Sequence, residues 1–146
     1  MGAIESLQAK LKRLNDDLLI AFLQSALNKH QADITELNKK QLEKGEKADG
    51  SMFEEYSHRT VKIRQLEGNP VKGRLIALYD TGDFWKGFWS IAKDGKLSML
   101  SRDQKTNMLI SKYGESIFGL TDSNFKKLGD IIMPTLQKTI TKYLQV

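Results

Sequence analysis

Gly87-Phe88-Trp89-Ser90-Ile91-Ala92-Lys93-Asp94-Gly95-Lys96-Leu97-Ser98-Met99-Leu100-Ser101 carries a tight-turn signal at its centre. Asp-Gly supplies the positive φ angles that a two-residue hairpin turn requires, so Lys93-Asp94-Gly95-Lys96 predicts a β-hairpin, Gly87–Ala92 with Lys96–Ser101. Alternation supports it, because Phe88, Ser90 and Ala92 share one face of their strand, and Leu97, Met99 and Ser101 one face of theirs.

Outward from the hairpin, the periodicity turns helical. Ile4, Leu7, Leu11, Leu14, Leu18, Phe22 and Ala26 recur at three- and four-residue steps and predict one helix over residues 3–28. A second helix is expected from Asp33 to Gly45, with Ile34, Leu37 and Leu42 as a thin apolar seam and Gly45 and Asp49-Gly50 as its stop. Ser57 reads as the N-cap of a short third helix, with Phe53, Tyr56, Thr60 and Ile63 turned inward. Gly68-Asn69-Pro70 breaks that helix, and Leu75–Tyr79 reads as a short extended run. Beyond the hairpin, Gln104–Tyr113 is a helical patch stopped by Gly114. Thr121 caps a last helix whose stripe runs Phe125, Leu128, Ile131, Ile132, Leu136, Ile140 and Leu144, interrupted by Pro134. The expected class is α+β: long N-terminal and C-terminal helices packed around a small antiparallel hairpin. One domain over residues 1–146 is expected, with a helical region 1–48, a central loop and β region 49–121 and a terminal helix 122–146.

Composition narrows the chemistry. The chain has no cysteine, which excludes disulfides and thiolate metal sites. It has 40% apolar and 28% charged residues, ordinary for a globular protein, and no apolar run near the ~20 residues that span a bilayer. A soluble protein is expected. The net charge of +5 is concentrated: Arg59, Lys62, Arg64, Lys72 and Arg74 face a single nearby acid, Glu67. Such a stretch suits a DNA-channel or acidic-partner surface, although no aromatics interleave with it as a single-strand platform requires.

No catalytic constellation emerges. The two histidines are His30 and His58, and Ser57 beside His58 on a helix would point elsewhere. Asp80 and Asp83 flank Thr81-Gly82, a pair better suited to capping a turn than to holding a metal. The glycines form no phosphate-cradling loop. Catalytic residues, cofactor and metal are therefore all expected to be none. The aromatics Phe84, Trp85, Phe88 and Trp89 are more than a small hairpin easily buries, and they are expected to form a subunit interface.

The order of the turn motifs carries a further reading. Asp49-Gly50-Ser51-Met52-Phe53 is followed by Tyr56-Ser57 with Thr60 and Arg64, then Leu78 with Thr81-Gly82-Asp83-Phe84, then Tyr113-Gly114, then Phe118-Gly119-Leu120-Thr121. This succession, over residues 49–146, resembles the virion-morphogenesis or tail-completion (neck) proteins of tailed bacteriophages, the Mu-type protein G and HK97-type neck proteins among them. The Arg-Pro pair common in that family ahead of the Phe-Leu signature is replaced here by Ser116-Ile117. The resemblance implies a non-enzymatic virion protein, assembled in the host cytoplasm, that forms a homo-oligomeric ring at the head–tail connector. It would contact portal or adaptor and tail proteins, with DNA as a non-specific passenger and no membrane partner. Thr81, Gly82, Gly119 and Thr121 would serve it as structural turn positions. The alternative is a small basic DNA-binding accessory protein using the Arg59–Arg74 stretch.

Overall fold

Asn15 divides the first apolar stripe. In the computed structural model, which describes residues 2–145, the stripe is carried by two helices, α1 (Ala3–Arg13) and α2 (Asp16–Lys29), and not by one. The Asn15 side chain accepts a hydrogen bond from the Leu18 amide at 3.0 Å, and Asp16 and Asp17 sit favourably in the first turn of α2. His30 then ends α2 and begins α3 (Gln31–Glu43), so the two helices join without a loop. Its imidazole bridges them to the end of the chain, with Nδ1 2.8 Å from Asp33 Oδ2 and Nε2 2.8 Å from Thr135 Oγ1.

Helix α4 (His58–Leu66) starts where expected, Ser57 Oγ accepting from the Thr60 amide at 3.1 Å. Its inward residue differs. Ile63 is 43% exposed, and Arg64 occupies the buried position instead. The expected extended run at Leu75–Tyr79 forms a single bridge, Glu55 with Leu75, and then leaves the extended region because Leu78 adopts φ +57°. Ala77 next to it is held at both ends, its amide donating to Tyr56 Oη and its carbonyl accepting from Trp85 Nε1.

After the one-turn helix α5 (Asp83–Lys86) comes the hairpin, β1 (Phe88–Lys93) and β2 (Lys96–Ser101), antiparallel with Ala92 opposite Leu97 and Ser90 opposite Met99. Asp94 and Gly95 have φ of +52° and +72°, the geometry the turn sequence demands. The register puts both alternating triplets on one face of the sheet. Ser90, Ala92, Met99 and Ser101 are buried there, with only the Ser90 hydroxyl lacking a partner among the described residues. Asn28 of α2 covers the free edge of β1, its amide exchanging two bonds with the Ala92 backbone at 2.8 and 3.0 Å. Helix α6 (Thr106–Tyr113) ends at Gly114, φ +90°, and a 3₁₀ turn (Glu115–Ile117) leads to Thr121 and the final helix α7 (Asp122–Leu144), which runs through Pro134.

Two apolar clusters result. One joins Ala26, Ile34, Met99, Leu120, Leu128 and Ile132, packing α2, α3 and α7 on the hairpin. The other gathers Leu42, Phe53, Ala77, Phe84, Trp85 and Ile117 beneath the central loops. The architecture is α+β, helices packed around one small hairpin, as the sequence pattern implied.

Candidate assembly surface

The motif Ile117-Phe118-Gly119-Leu120-Thr121 is fastened by two amides that the sequence reading passed over. Asn38 Nδ2 donates to the Ile117 carbonyl at 3.2 Å, and its Oδ1 accepts from the Gly119 amide at 3.2 Å. One helical turn later, Gln41 Nε2 donates to the Gly119 carbonyl at 3.1 Å, while its Oε1 accepts from the Thr121 amide at 2.9 Å and from Asn124 Nδ2 at 2.8 Å. Asn38 and Gln41 are both buried, so these bonds satisfy a segment of backbone that pairs with no strand. Gly119, at φ +119°, passes within 2.9 Å (ideal Cβ position) of Ala48 Cβ, and Thr121 Oγ1 caps α7 by accepting from the Asn124 amide.

At the second turn motif, Gly82 has φ +92°, Thr81 Oγ1 donates to Asp83 Oδ2 at 2.8 Å, and α5 starts directly after. A side chain at position 82 would also meet the Tyr79 ring at 3.0–3.2 Å. Gly82→Val should therefore lower stability by roughly 1–3 kcal/mol, checked by urea denaturation, because a β-branched residue resists this backbone region. An unchanged midpoint would mean that the turn relaxes to negative φ. At the first motif, Asp49 accepts from the Ser51 hydroxyl (2.6 Å) and amide (2.9 Å), and these bonds hold its carboxyl below the usual carboxylate range. A lowered pKa makes that contribution complete at neutral pH and lost only as acid protonates the carboxylate.

The aromatic group divides. Phe84 and Trp85 are buried in the second cluster, where Trp85 stacks edge-on to Tyr79 with centroids 5.0 Å apart and Phe84 meets Phe88 at 5.0 Å. These two residues are core, not the surface of a subunit contact. They are buried because the loop Leu75–Asp80 wraps around α5 and supplies the apolar wall that the hairpin alone lacks. Phe88 and Trp89 stay half-buried, Arg102 lying over the Trp89 ring at 5.8 Å.

The basic stretch divides likewise. Arg64 is buried, donating to the carbonyls of Asn69 and Tyr79, stacking on Tyr56 and lying 3.6 Å from Asp80, so it ties the central loops together and reaches no partner. Lys72 Nζ sits 3.9 Å over the Tyr79 ring, and Arg74 pairs with Glu55 at 3.1 Å. Of the five, Arg59, Lys62 and Lys72 stand exposed without an ion-pair partner among the described residues. His58 is exposed, and no group of three His, Asp or Glu side chains positioned to hold a metal ion occurs among the described residues.

Exposed apolar surface lies elsewhere. Ile4 and Leu11 project from α1, which buries no residue completely. Between α2 (Ile20, Leu23, Leu27) and α7 (Phe125, Gly129, Ile132) runs an open groove of about 350 Å³, floored by the hairpin turn. Gly129 has no heavy atom within 4 Å of where a side chain would begin, which keeps the groove open. A third apolar feature is Leu66 on α4, 88% exposed. Among the described residues no helix is long and apolar enough to cross a membrane. Comparison with protein-family models, with curated proteins and with solved structures finds no match to this chain.

Proposed function

We propose that the chain is a non-enzymatic structural protein of a tailed-phage virion, a ring-forming component of the neck that completes the tail and bridges portal and tail. The observation that carries this reading is the unpartnered apolar surface, a groove and two helix faces on a chain of 146 residues. Apolar surface left open at several places on a small domain suits contacts with other protein. The motif order adds to it, and its last element, Phe118–Thr121, is bonded to the body through Asn38 and Gln41. DNA would be a passenger of the assembled channel. Burial of Arg64 takes the central cation out of the Arg59–Arg74 stretch, which weighs against the DNA-binding alternative built on that stretch.

The test is the mass and symmetry of the purified protein, alone and mixed with portal-bearing particles, by light scattering and negative-stain imaging. A closed ring, or stoichiometric decoration of the neck, is the expected result. A monomer that ignores particles and shifts with duplex DNA at low salt would overturn the reading.

A further inference from the structure

The two outer edges of the hairpin differ. Helices α2 and α3 pack along β1, and Asn28 bonds both the N–H and the C=O of Ala92. Ala92 therefore turns its backbone groups away from β2. In an antiparallel pair such outward residues alternate with laddered ones on both strands, so the register makes Leu97, Met99 and Ser101 the outward residues of β2. The Ser101 carbonyl is taken by Thr106 Oγ1 at 3.2 Å. The N–H and C=O groups of Leu97 and Met99 have no partner among the described residues. A hollow of about 370 Å³ lies against this stretch. Residues of both faces of the strand line it, Leu97 and Met99 with Ser98 and Leu100, so it runs beside the edge and not above one face. Ile110, Glu115 and Phe118 form its opposite wall. That wall is bonded away from the strand, since Ile117, Gly119 and Thr121 give their backbone groups to Asn38 and Gln41 of α3.

We infer that this slot takes an extended segment of a different protein, which adds to β2 as a third strand. Free main-chain donors and acceptors at Leu97 and Met99 define the chemistry of the occupant, because an incoming strand is what satisfies both kinds of group at strand spacing. The two residues stand two positions apart, ~7 Å along the strand, so the pairing covers about three residues of the partner. Side chains of that partner alternate in character. Those on the Met99 side continue the first apolar cluster, in which Met99 is buried and against which Leu97 and Phe118 pack, and those on the Ser98 side stand in water. Glu115 is the charged residue lining the slot, and it forms no ion pair among the described residues, so a lysine or arginine next to the apolar positions fits it. A second copy fits poorly. The sheet edge it offers is its own β2, which has the same wall in front of it, and the two walls would meet before the strands came within the ~4.8 Å of a paired sheet. The site does not depend on closure of a ring.

The experiment selects a displayed library of random short peptides against the full chain. Enriched sequences should alternate apolar with polar residues and carry a cation. A synthetic peptide of the enriched sequence should slow hydrogen exchange of the Leu97 and Met99 amides at least about tenfold, read residue by residue by NMR, and change the laddered Ser98 and Leu100 amides less. Leu97→Pro removes an outward N–H and no ladder bond, so it should weaken the peptide at least about tenfold, whereas Leu97→Val should bind it as the wild type does. Ile110→Trp fills the slot from its far wall and should act as Leu97→Pro does, which keeps the test decisive if the proline variant does not fold. A library that yields no binder, or binders that protect other amides, would overturn the strand site. So would a peptide that Leu97→Pro and Ile110→Trp both hold as the wild type does. Protection of Leu97 and Met99 that appears in the chain alone and grows with its concentration would overturn the foreign strand in favour of a second copy. Each of these outcomes leaves the ring reading intact.

Discussion

Asn38→Leu should lower the unfolding free energy by about 3 kcal/mol and leave the chain folded at 25 °C. Leucine keeps the forked outline of asparagine but is bulkier, so in a site that is 0% exposed the substitution crowds the core and leaves no cavity. What it removes is the side chain that bonds both the Ile117 carbonyl and the Gly119 amide. Each backbone group left buried without a partner costs about 1–3 kcal/mol, and the added apolar burial of leucine offsets part of the sum. The melting temperature should fall by roughly 10 °C. Asn38→Asp separates the two bonds: it keeps an acceptor for the Gly119 amide and sets a carboxylate oxygen against the Ile117 carbonyl. Gln41→Leu should be coupled to Asn38→Leu, since the two amides hold opposite sides of the same residue, Gly119. A loss below about 1 kcal/mol in Asn38→Leu, measured by urea denaturation, would mean that packing of Ile117 and Leu120 holds this loop and that the amides only follow it.

Those amides also show where sequence reading stops. The hairpin, the cap at Ser57, the cap at Thr121 and the stop at Gly114 were legible because each is a local rule, a residue type answering a backbone need within four positions. The break at Asn15 was equally local, an N-cap followed by two acids, but a stripe that keeps its spacing from Leu11 through Leu14 to Leu18 conceals it. Asn38 and Gln41 look like the solvated side of α3 in sequence. Their partners lie 78–83 residues away, and no periodicity encodes that distance. Arg64 misleads for the same reason, because an arginine among cations reads as surface until Tyr56, Asn69 and Tyr79 close around it. Of the basic stretch singled out in the sequence, Arg64 alone is withdrawn from the surface. The groove was beyond its reach, since α2 and α7 stand about a hundred residues apart and only the fold brings Ile20 and Phe125 to the walls of one groove.

Trp85→Ala should cost about 3–5 kcal/mol of stability in the isolated chain, more than any substitution at Trp89. Trp85 is 9% exposed, its indole N–H bonds the Ala77 carbonyl at 3.1 Å, and its ring meets Tyr79 edge-on. Truncation removes that packing, strands the carbonyl and loosens Leu78, whose left-handed backbone persists only because its surroundings hold it. Lys72 would lose its perch as well, since it lies over both the Tyr79 and Trp85 rings. Trp85→Phe should recover most of the loss and leave roughly 1 kcal/mol, the share of the N–H bond. Trp89→Ala, at a half-buried position on the hairpin, should cost roughly 1–2 kcal/mol. The comparison separates two roles for one run of aromatics. If Trp85→Ala melts as the wild type does but no longer assembles, the ring is a contact with other subunits and the buried arrangement described here is wrong. If it melts early and the folded fraction still assembles, Trp85 belongs to the core and the surface between copies lies on other residues.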